Sequence, residues 1–196
     1  NNLQIAIQTT TPCTVMKPGE HIVSGRLFSE LVRKLPDENV VIEWKDGQVF
    51  VSSQTMEFTL NTIVGHEFPA YPNCENKVMQ LTDYELERLI RNSIFATSND
   101  EHQPIFSGVL VEIKEGGIHF VATDSNRLSY VEAQSGESAV ESGEFIVPKT
   151  NLSELNRCLP ITETMVEVFS GDNQLAFKFD DTIFTNRLID GKFPKY

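Results

Sequence analysis

The sequence predicts an α+β protein in which a β-α-β-β-β unit is repeated and the helices cover one face of antiparallel sheets. The first observation behind this prediction is a repeat. Ser-Glu-Leu at residues 29–31 returns at residues 153–155, and Phe-Pro at residues 68–69 returns at residues 193–194. The second is that short segments of alternating apolar residues follow each predicted helix, which is typical of antiparallel strands. Since both pairs are separated by nearly the same length of chain, we infer a duplicated domain.

The first part of the chain is predicted to begin with one strand and then to form a single unit. Apolar and polar residues alternate over residues 3–7, which indicates a half-buried strand. A short strand at residues 21–23 leads into a helix over residues 25–35, which Pro36 ends because proline cannot continue a helix. Asp46-Gly47 is a favourable hairpin turn within the sheet that follows. Its three strands are predicted at residues 40–44, 49–53 and 56–61.

A linker and a second unit are predicted next. Residues 65–76 contain two prolines and a glycine, which are typical of a connection between domains. A strand at residues 77–81 precedes a helix over residues 82–96. Thr82 and Glu85 match a capping box, in which each side chain accepts a hydrogen bond from the other residue's backbone N–H. The apolar stripe of this helix has helical spacing and consists of Leu86, Leu89, Ile90 and Ile94.

The remaining segments complete two consecutive units. Three strands follow the second helix, at residues 109–114, 118–123 and 128–133. A polar loop covers residues 135–143, and the last unit has a strand at 144–147, a helix at 149–159 and strands near 166–169, 174–179 and 182–188. One unit alone buries a single helix against a small sheet, which is too little for a stable core. Two units are therefore predicted to pack together into a two-layer domain.

Composition limits the class of protein. The chain has 196 residues, of which 40% are hydrophobic and 22% charged, as in soluble globular proteins. No apolar run approaches the roughly 20 residues that span a bilayer, so no membrane partner is predicted. Cys13, Cys74 and Cys158 are odd in number and far apart, which favours free thiols in a reducing cytoplasm over a disulfide framework. The absence of an initiator Met or an export signal suggests a truncated chain.

The net charge of −12 argues against ordinary DNA binding, which depends on Lys and Arg neutralising phosphates. The distribution of charge is more informative, because most of the acidic residues lie in predicted strands and loops. Seven of the 16 basic residues lie in three predicted helices, so the helix face is expected to be less negative than the rest. Ordinary solvated helix faces explain the same pattern equally well. The seven are Arg26, Arg33, Lys34, Arg88, Arg91, Lys149 and Arg157.

Two motifs are specific in combination. They are Ala-Thr-Asp-x-x-Arg-Leu at residues 122–128 and Arg-Leu-Ile-Asp-Gly-x-Phe-Pro at residues 187–194. With further stretches at residues 95–98, 104–110 and 146–148, the chain resembles the β sliding clamp family, the β subunit of bacterial DNA polymerase III.

The resemblance implies a DNA-clamp fold with three domains per protomer, each made of two β-α-β-β-β units. Residues 1–72 would be the C-terminal half of domain one and residues 73–196 a complete domain two, while domain three would be absent. Two full-length protomers would close into a homodimeric ring around double-stranded DNA. The implied function is that of a non-catalytic processivity factor in DNA replication. It would tether the replicative polymerase, the clamp loader and other clients through short peptide motifs.

The resemblance also implies roles for individual residues. The seven helical cations would face DNA, and Leu35, Phe58 and Leu60 would lie at the dimer edge, although internal packing is an equally good explanation for each of these three. A client-peptide pocket would include Phe106, Thr123, Ser125, Asn126, Arg127, Leu128 and Pro194.

Within the implied pocket, Leu128, Phe106 and Pro194 would receive hydrophobic side chains of the peptide, and Arg127 would offer hydrogen bonds at the rim. The alternative is that Leu128 and Phe106 are core residues and Arg127 is a strand-edge charge. Two positions depart from the family pattern, because Asn126 replaces a common histidine and Gln103 a common arginine. Both departures put the preference for particular clients in doubt.

No motif for catalysis is found. The sequence lacks a phosphate-binding G-x-x-x-x-G-K-[ST] loop and the metal-ligand spacings C-x-x-C and H-E-x-x-H, so we predict no cofactor, metal or catalytic residue. A hydrolase or nuclease that uses Asp100, Glu101 and Asp124 around a divalent metal is one alternative, although an Asp at a strand end more often caps a turn. Another is a protein-interaction module of duplicated origin that does not encircle DNA.

Overall fold

The computed structural model describes residues 2–36, 39–64, 68–70, 72–100, 102–134 and 142–196. Within these ranges the chain forms twelve strands and three α-helices. The helices are α1 (Gly25–Val32), α2 (Asp83–Arg91) and α3 (Lys149–Cys158). The strands before α2 are β1 (Ile5–Thr9), β2 (Val41–Lys45), β3 (Gln48–Ser52), β4 (Glu57–Asn61) and β5 (Asn76–Thr82). The later strands are β6 (Gly108–Lys114), β7 (Gly117–Thr123), β8 (Leu128–Gln134), β9 (Gly143–Pro148), β10 (Met165–Gly171), β11 (Gln174–Phe179) and β12 (Thr182–Arg187).

All strand pairs in the described sheets are antiparallel, and the predicted α+β class is confirmed, as is the predicted order of elements except for the short strand at residues 21–23. The orders are β1-β12-β11-β10-β5, β2-β3-β4 and β8-β7-β6-β9. The two later units exchange their first strands, since β5 pairs with β10 of the next unit and β9 pairs with β6 of the preceding one. Each of these two sheets therefore contains strands from both units, so neither unit has a sheet of its own.

The described residues divide into two compact units. The larger contains the described residues up to Pro12 together with those from Ala70 onwards, and the smaller contains those from Cys13 to Pro69. In the larger unit, α2 and α3 bury their apolar sides against the inner faces of the four- and five-stranded sheets. The fully buried side chains of this single core include Leu86, Leu89, Ile90, Phe120, Leu152, Leu155, Phe177 and Phe184.

The smaller unit packs α1 onto the sheet β2-β3-β4. Its buried core consists of Leu31, Val49, Val51 and Leu60. The predicted hairpin turn between β2 and β3 is present, and Asp46 and Gly47 have φ values of 52° and 78°. These left-handed conformations match the right-handed twist of the two strands, and glycine adopts them without strain. Among the described residues of both units, no helix has the length and the apolar content to cross a membrane.

Two helix ends differ from prediction. Helix α1 ends at Val32 and not at residue 35. The ring of Pro36 would clash with the carbonyl four residues earlier, which is that of Val32, so the chain leaves the α-helix there. Helix α2 ends at Arg91 and not at residue 96. The Ser93 hydroxyl donates hydrogen bonds to the last carbonyls of the helix, and Ile94 lies in a separate 3₁₀ turn.

Two strand predictions were also partly wrong. The first strand begins at Ile5, and Ile7, which the alternation predicts on the buried face of the strand, is exposed. This follows from the position of β1 at the edge of its sheet, where β12 is its one neighbour among the described strands. The predicted strand at residues 21–23 is reduced to an isolated bridge between Val23 and Thr62. The predicted polar loop at 135–143 lies largely outside the described residues, as does part of the predicted linker at 65–76.

Candidate peptide-binding site

The loop that joins β7 to β8 is held in one conformation by its own side chains. Asp124 Oδ1 accepts hydrogen bonds from the backbone N–H groups of Asn126 (3.0 Å) and Arg127 (3.1 Å). Thr123 Oγ1 donates to the carbonyl of Arg127 (2.7 Å) and accepts from the N–H of Ser125 (3.1 Å). Ser125 has a φ of 74°, a conformation that a non-glycine residue adopts only when its surroundings fix it. Five of the seven predicted pocket residues therefore form one ordered edge of the sheet, since Leu128 follows directly as the first residue of β8.

The side chain of Arg127 is oriented by an acid and an aromatic ring. Its Nε donates to Asp124 Oδ2 at 2.9 Å, and its guanidinium carbon lies 6.0 Å from the centroid of the Phe95 ring, which is within the range of a cation–π contact. The backbone N–H of Asn126, together with the backbone and guanidinium of Arg127, lowers the pKa of Asp124, although burial acts in the opposite direction. Asp124 therefore acts as the cap of this loop, as its position at a strand end indicates.

Apolar side chains lie beside this loop. Leu128 is 51% exposed, so it does not belong to the core. Phe106 is half-buried and packs edge-on against Phe193, with the ring centroids 6.3 Å apart. Pro194, the next residue, is exposed. The explanation of Leu128 as a core residue was wrong, and an exposed leucine at the end of a rigid loop is available for contact with a partner.

The segment 95–98 connects the two parts of the site. Phe95 contacts Arg127, and the N–H of Ser98 donates to the carbonyl of Phe106 at 2.7 Å. Phe106 lies in a 3₁₀ turn, Pro104–Ser107, which the sequence did not predict. Phe95 is 55% exposed and was not among the predicted site residues. The available signal was that Phe95 lies in the stretch 95–98, which contributes to the family resemblance, but no residue spacing indicated that its ring meets Arg127.

A C-terminal strap, which we define as residues 189–196, passes over the outer face of the four-stranded sheet. The N–H of Ile189 donates to the carbonyl of Ile146 at 2.8 Å, and Phe193 is 6% exposed. Phe193 packs with Leu110, Val121 and Ile146, which point away from the helices because successive residues of a strand face opposite sides. The strap therefore holds Pro194 next to the sheet, and it holds the ring of Phe193, against which Phe106 packs, in a buried position.

Comparison with known proteins identifies the family. The model of the DNA polymerase III beta subunit central domain matches residues 80–195, and that of the N-terminal domain of the same subunit matches residues 1–72. The chain belongs to the DNA polymerase III beta subunit family. The beta sliding clamps of Bacillus subtilis and Halalkalibacterium halodurans are 32% and 31% identical over 183 and 184 residues, each match covering 92% of this chain and 48% of the relative.

Solved structures agree with this membership. The DNA polymerase sliding clamp from Bacillus subtilis has a TM-score of 0.93 at 30% identity, with 99% of this chain and 54% of that chain covered. A putative DNA polymerase III beta subunit from Eubacterium rectale has a TM-score of 0.93 at 28% identity, with 100% and 54% covered. The predicted DNA-clamp fold is confirmed. The chain spans about half the length of the curated relatives that it matches.

The beta-subunit chain keeps most of its seven helical cations in local interactions. Three arginines form ion pairs within or next to their own helices, Arg26–Glu30 (3.1 Å), Arg91–Glu87 (3.0 Å) and Arg157–Glu154 (2.8 Å). Arg88 donates to the carbonyl of Glu132 (2.7 Å) and Lys149 to Asn99 Oδ1 (3.3 Å), while Arg33 and Lys34 follow α1 and are exposed. Exposed pairs of this kind contribute little to stability, so these side chains can exchange their partners readily. Contact between these seven side chains and DNA remains a prediction.

Leu35, Phe58 and Leu60, the predicted dimer-edge residues of this beta-subunit chain, belong to the apolar cluster of the smaller unit. Leu60 is buried, and Leu35 and Phe58 are half-buried against α1 and its sheet. This placement gives all three a role in internal packing, and a second role at a dimer edge remains a prediction.

The alternative metal site finds no support in this beta-subunit chain. In the part of the chain that the structure describes, no group of three or more His, Cys, Asp or Glu side chains is placed to hold a metal ion. Asp100 Oδ1 accepts a hydrogen bond from the backbone of His102, and Glu101 lies outside the described residues.

Proposed function

We propose that this chain is part of a bacterial sliding clamp, a non-catalytic processivity factor of DNA replication. In the full protein, a homodimeric ring encircles duplex DNA and tethers the replicative polymerase, the clamp loader and other clients through short peptides. Residues 1–72 are the C-terminal half of domain one and residues 73–196 are domain two. Membership of the family and relatives that carry the name beta sliding clamp support this proposal.

The net charge is compatible with a ring. A closed ring retains DNA by topology, so it does not need the dense phosphate contacts on which open DNA-binding proteins depend. The exposed cations on or beside α1, α2 and α3 face the duplex and exchange their glutamate partners for phosphates as the ring slides. The acidic remainder of the surface discourages DNA binding elsewhere.

The observation that carries the proposal is the exposed Leu128 on a rigid loop, beside an arginine that is already oriented. Peptide recognition concentrates binding energy in a few apolar side chains that enter preformed contacts. Leu128, Phe106 and Pro194 receive the leucine side chains of a client peptide, and Arg127 with Thr123 offers hydrogen bonds to its polar groups. Because the loop and the strap are both fixed before binding, little conformational entropy is lost.

Replacing Leu128 by alanine is expected to raise the Kd of a client peptide about tenfold, because it removes an apolar contact at the centre of the site. We would measure fluorescence anisotropy with a labelled synthetic peptide that contains one glutamine and two leucines. Leu27→Ala is a matched control, because Leu27 is 52% exposed but lies on α1. Equal affinities for the wild type and Leu128→Ala, or an equal loss in Leu27→Ala, would refute the proposed site.

A further inference from the structure

A buried acid lies on the outer face of the four-stranded sheet. Glu112 alternates with the core residues of β6, and its side chain is only 8% exposed. Its carboxylate accepts hydrogen bonds from Lys114 Nζ (2.7 Å) and Tyr196 OH (2.9 Å), and His119 Nδ1 lies 3.3 Å away. Burial alone would raise the pKa of Glu112, but the bonds from Lys114, Tyr196 and His119 outweigh it and lower the pKa. The acid is thus stabilised in its charged form by Lys114, by Tyr196 of the strap and by His119.

Tyr196 fastens the end of the strap to this acid. Burial and the hydrogen bond to Glu112 raise the pKa of Tyr196 to about 12, so the hydroxyl remains a donor at neutral pH. The strap is consequently held at three places along its length. They are the backbone bond of Ile189, the buried ring of Phe193 and the hydroxyl of Tyr196.

The strap also contacts the 3₁₀ turn that contains Phe106. Gly191 has a φ of 141°, and a Cβ atom there would lie 2.8 Å from Ile105 Cδ1, which is closer than such atoms approach. Phe193 contacts the Phe106 ring. A displacement of the strap would therefore move Pro194 directly and would remove the support of Phe106.

We propose that Glu112 and Tyr196 are positioning residues of the client-peptide site. They form a clip that holds the strap against the sheet and so fixes Pro194 and Phe106 for the peptide, without touching the peptide themselves. This inference rests on the proposed function. Glu112 belongs to neither of the apolar clusters on the two faces of its sheet, so the fold alone does not require a carboxylate at this position. The clip gives this buried carboxylate a role.

A double-mutant cycle tests the clip. Tyr196→Phe and Glu112→Leu are each expected to raise the Kd of the labelled peptide about fivefold, and the double variant is expected to bind no more weakly than the weaker single variant, because each change removes the Tyr196–Glu112 hydrogen bond. Tyr130→Phe is the matched control. It removes another Tyr–Glu hydrogen bond on the same sheet face, to Glu132 at 3.3 Å, and is expected to leave the Kd unchanged.

Trypsin supplies an independent measurement, since Lys192 and Lys195 are exposed on the strap. Cleavage after these residues is expected to be about fivefold faster in Tyr196→Phe than in the wild type, and unchanged in Tyr130→Phe. Single variants that bind like the wild type, effects that multiply in the double variant, or unchanged cleavage would each overturn the clip. If the wild type binds the peptide but the clip variants do not differ from it, the clip alone fails. If the wild type does not bind, the proposed function and the clip fail together.

Discussion

Residues 76–134 expressed alone are expected to be unfolded, and to fold when mixed with residues 142–196. The reason is the exchange of strands between the two β-α-β-β-β repeats of the larger unit. The neighbour of β5 in its sheet is β10 and that of β9 is β6, so each fragment would hold one strand without a partner and would lack half of the common core. One helix on a sheet of this size buries too little apolar surface to be stable alone.

Far-UV circular dichroism of each fragment and of the equimolar mixture would measure this effect. The mixture is expected to recover the spectrum and the cooperative thermal transition of the larger unit. Residues 13–69, which span the smaller unit, serve as the control and are expected to induce no folding of residues 76–134. A cooperative thermal transition in residues 76–134 alone would show that the exchanged strand is dispensable.

Replacing Asp83 by alanine is expected to lower the free energy of unfolding by about 3 kcal/mol. Asp83 is fully buried at the start of α2. Its carboxylate accepts a hydrogen bond from the N–H of Tyr84 at 2.8 Å. It accepts a second, also at 2.8 Å, from the N–H of Thr162, which belongs to the other β-α-β-β-β repeat of the larger unit. Alanine would leave these donors without an acceptor and would remove a negative charge from the helix N-terminus.

Urea denaturation of the full chain would give the free energy. Asp83→Asn retains one carbonyl oxygen and is expected to lose roughly half as much stability. Asp172→Ala is the surface control, expected to stay within about 0.5 kcal/mol of the wild type because Asp172 is exposed. A similarly small change in Asp83→Ala would mean that the contact between the two repeats contributes little to the free energy of unfolding.

Local features of the fold were predictable because their causes are local in sequence. The capping box at α2 is present, with Thr82 Oγ1 accepting from the N–H of Glu85 (3.2 Å) and Glu85 Oε2 accepting from the N–H of Thr82 (3.1 Å). The Asp46-Gly47 turn is confirmed for the same reason, as is the order of elements apart from the strand at residues 21–23. Even so, the predicted α2 was too long, because apolar Ile94 continues the helical spacing beyond Arg91, where the helix ends and the Ser93 hydroxyl binds its last carbonyls.

Features that depend on tertiary packing were not predictable. Alternating residues identify a strand but not its neighbour, so neither the exchange of β5 and β9 nor the pairing of β1 with β12 follows from the pattern. Glu112 has the sequence pattern of an ordinary solvent-facing position, and nothing in that pattern indicates its hydrogen bond with Tyr196, which is far along the chain. The loop of the candidate site was predicted through the family motif, whereas Phe95 and Phe193, which support it, were not.

The most direct measurement is a ¹H–¹⁵N correlation NMR titration of the chain with the peptide that contains one glutamine and two leucines. A peptide site at the β7–β8 edge predicts that the largest shifts occur at the backbone amides of Phe106 and residues 123–128. Amides in the core of the smaller unit, such as those of Val49 and Val51, are expected to keep their positions. If the peptide saturates the chain but the largest shifts occur on α2, on α3 or in the smaller unit, the result would contradict a peptide site at this edge.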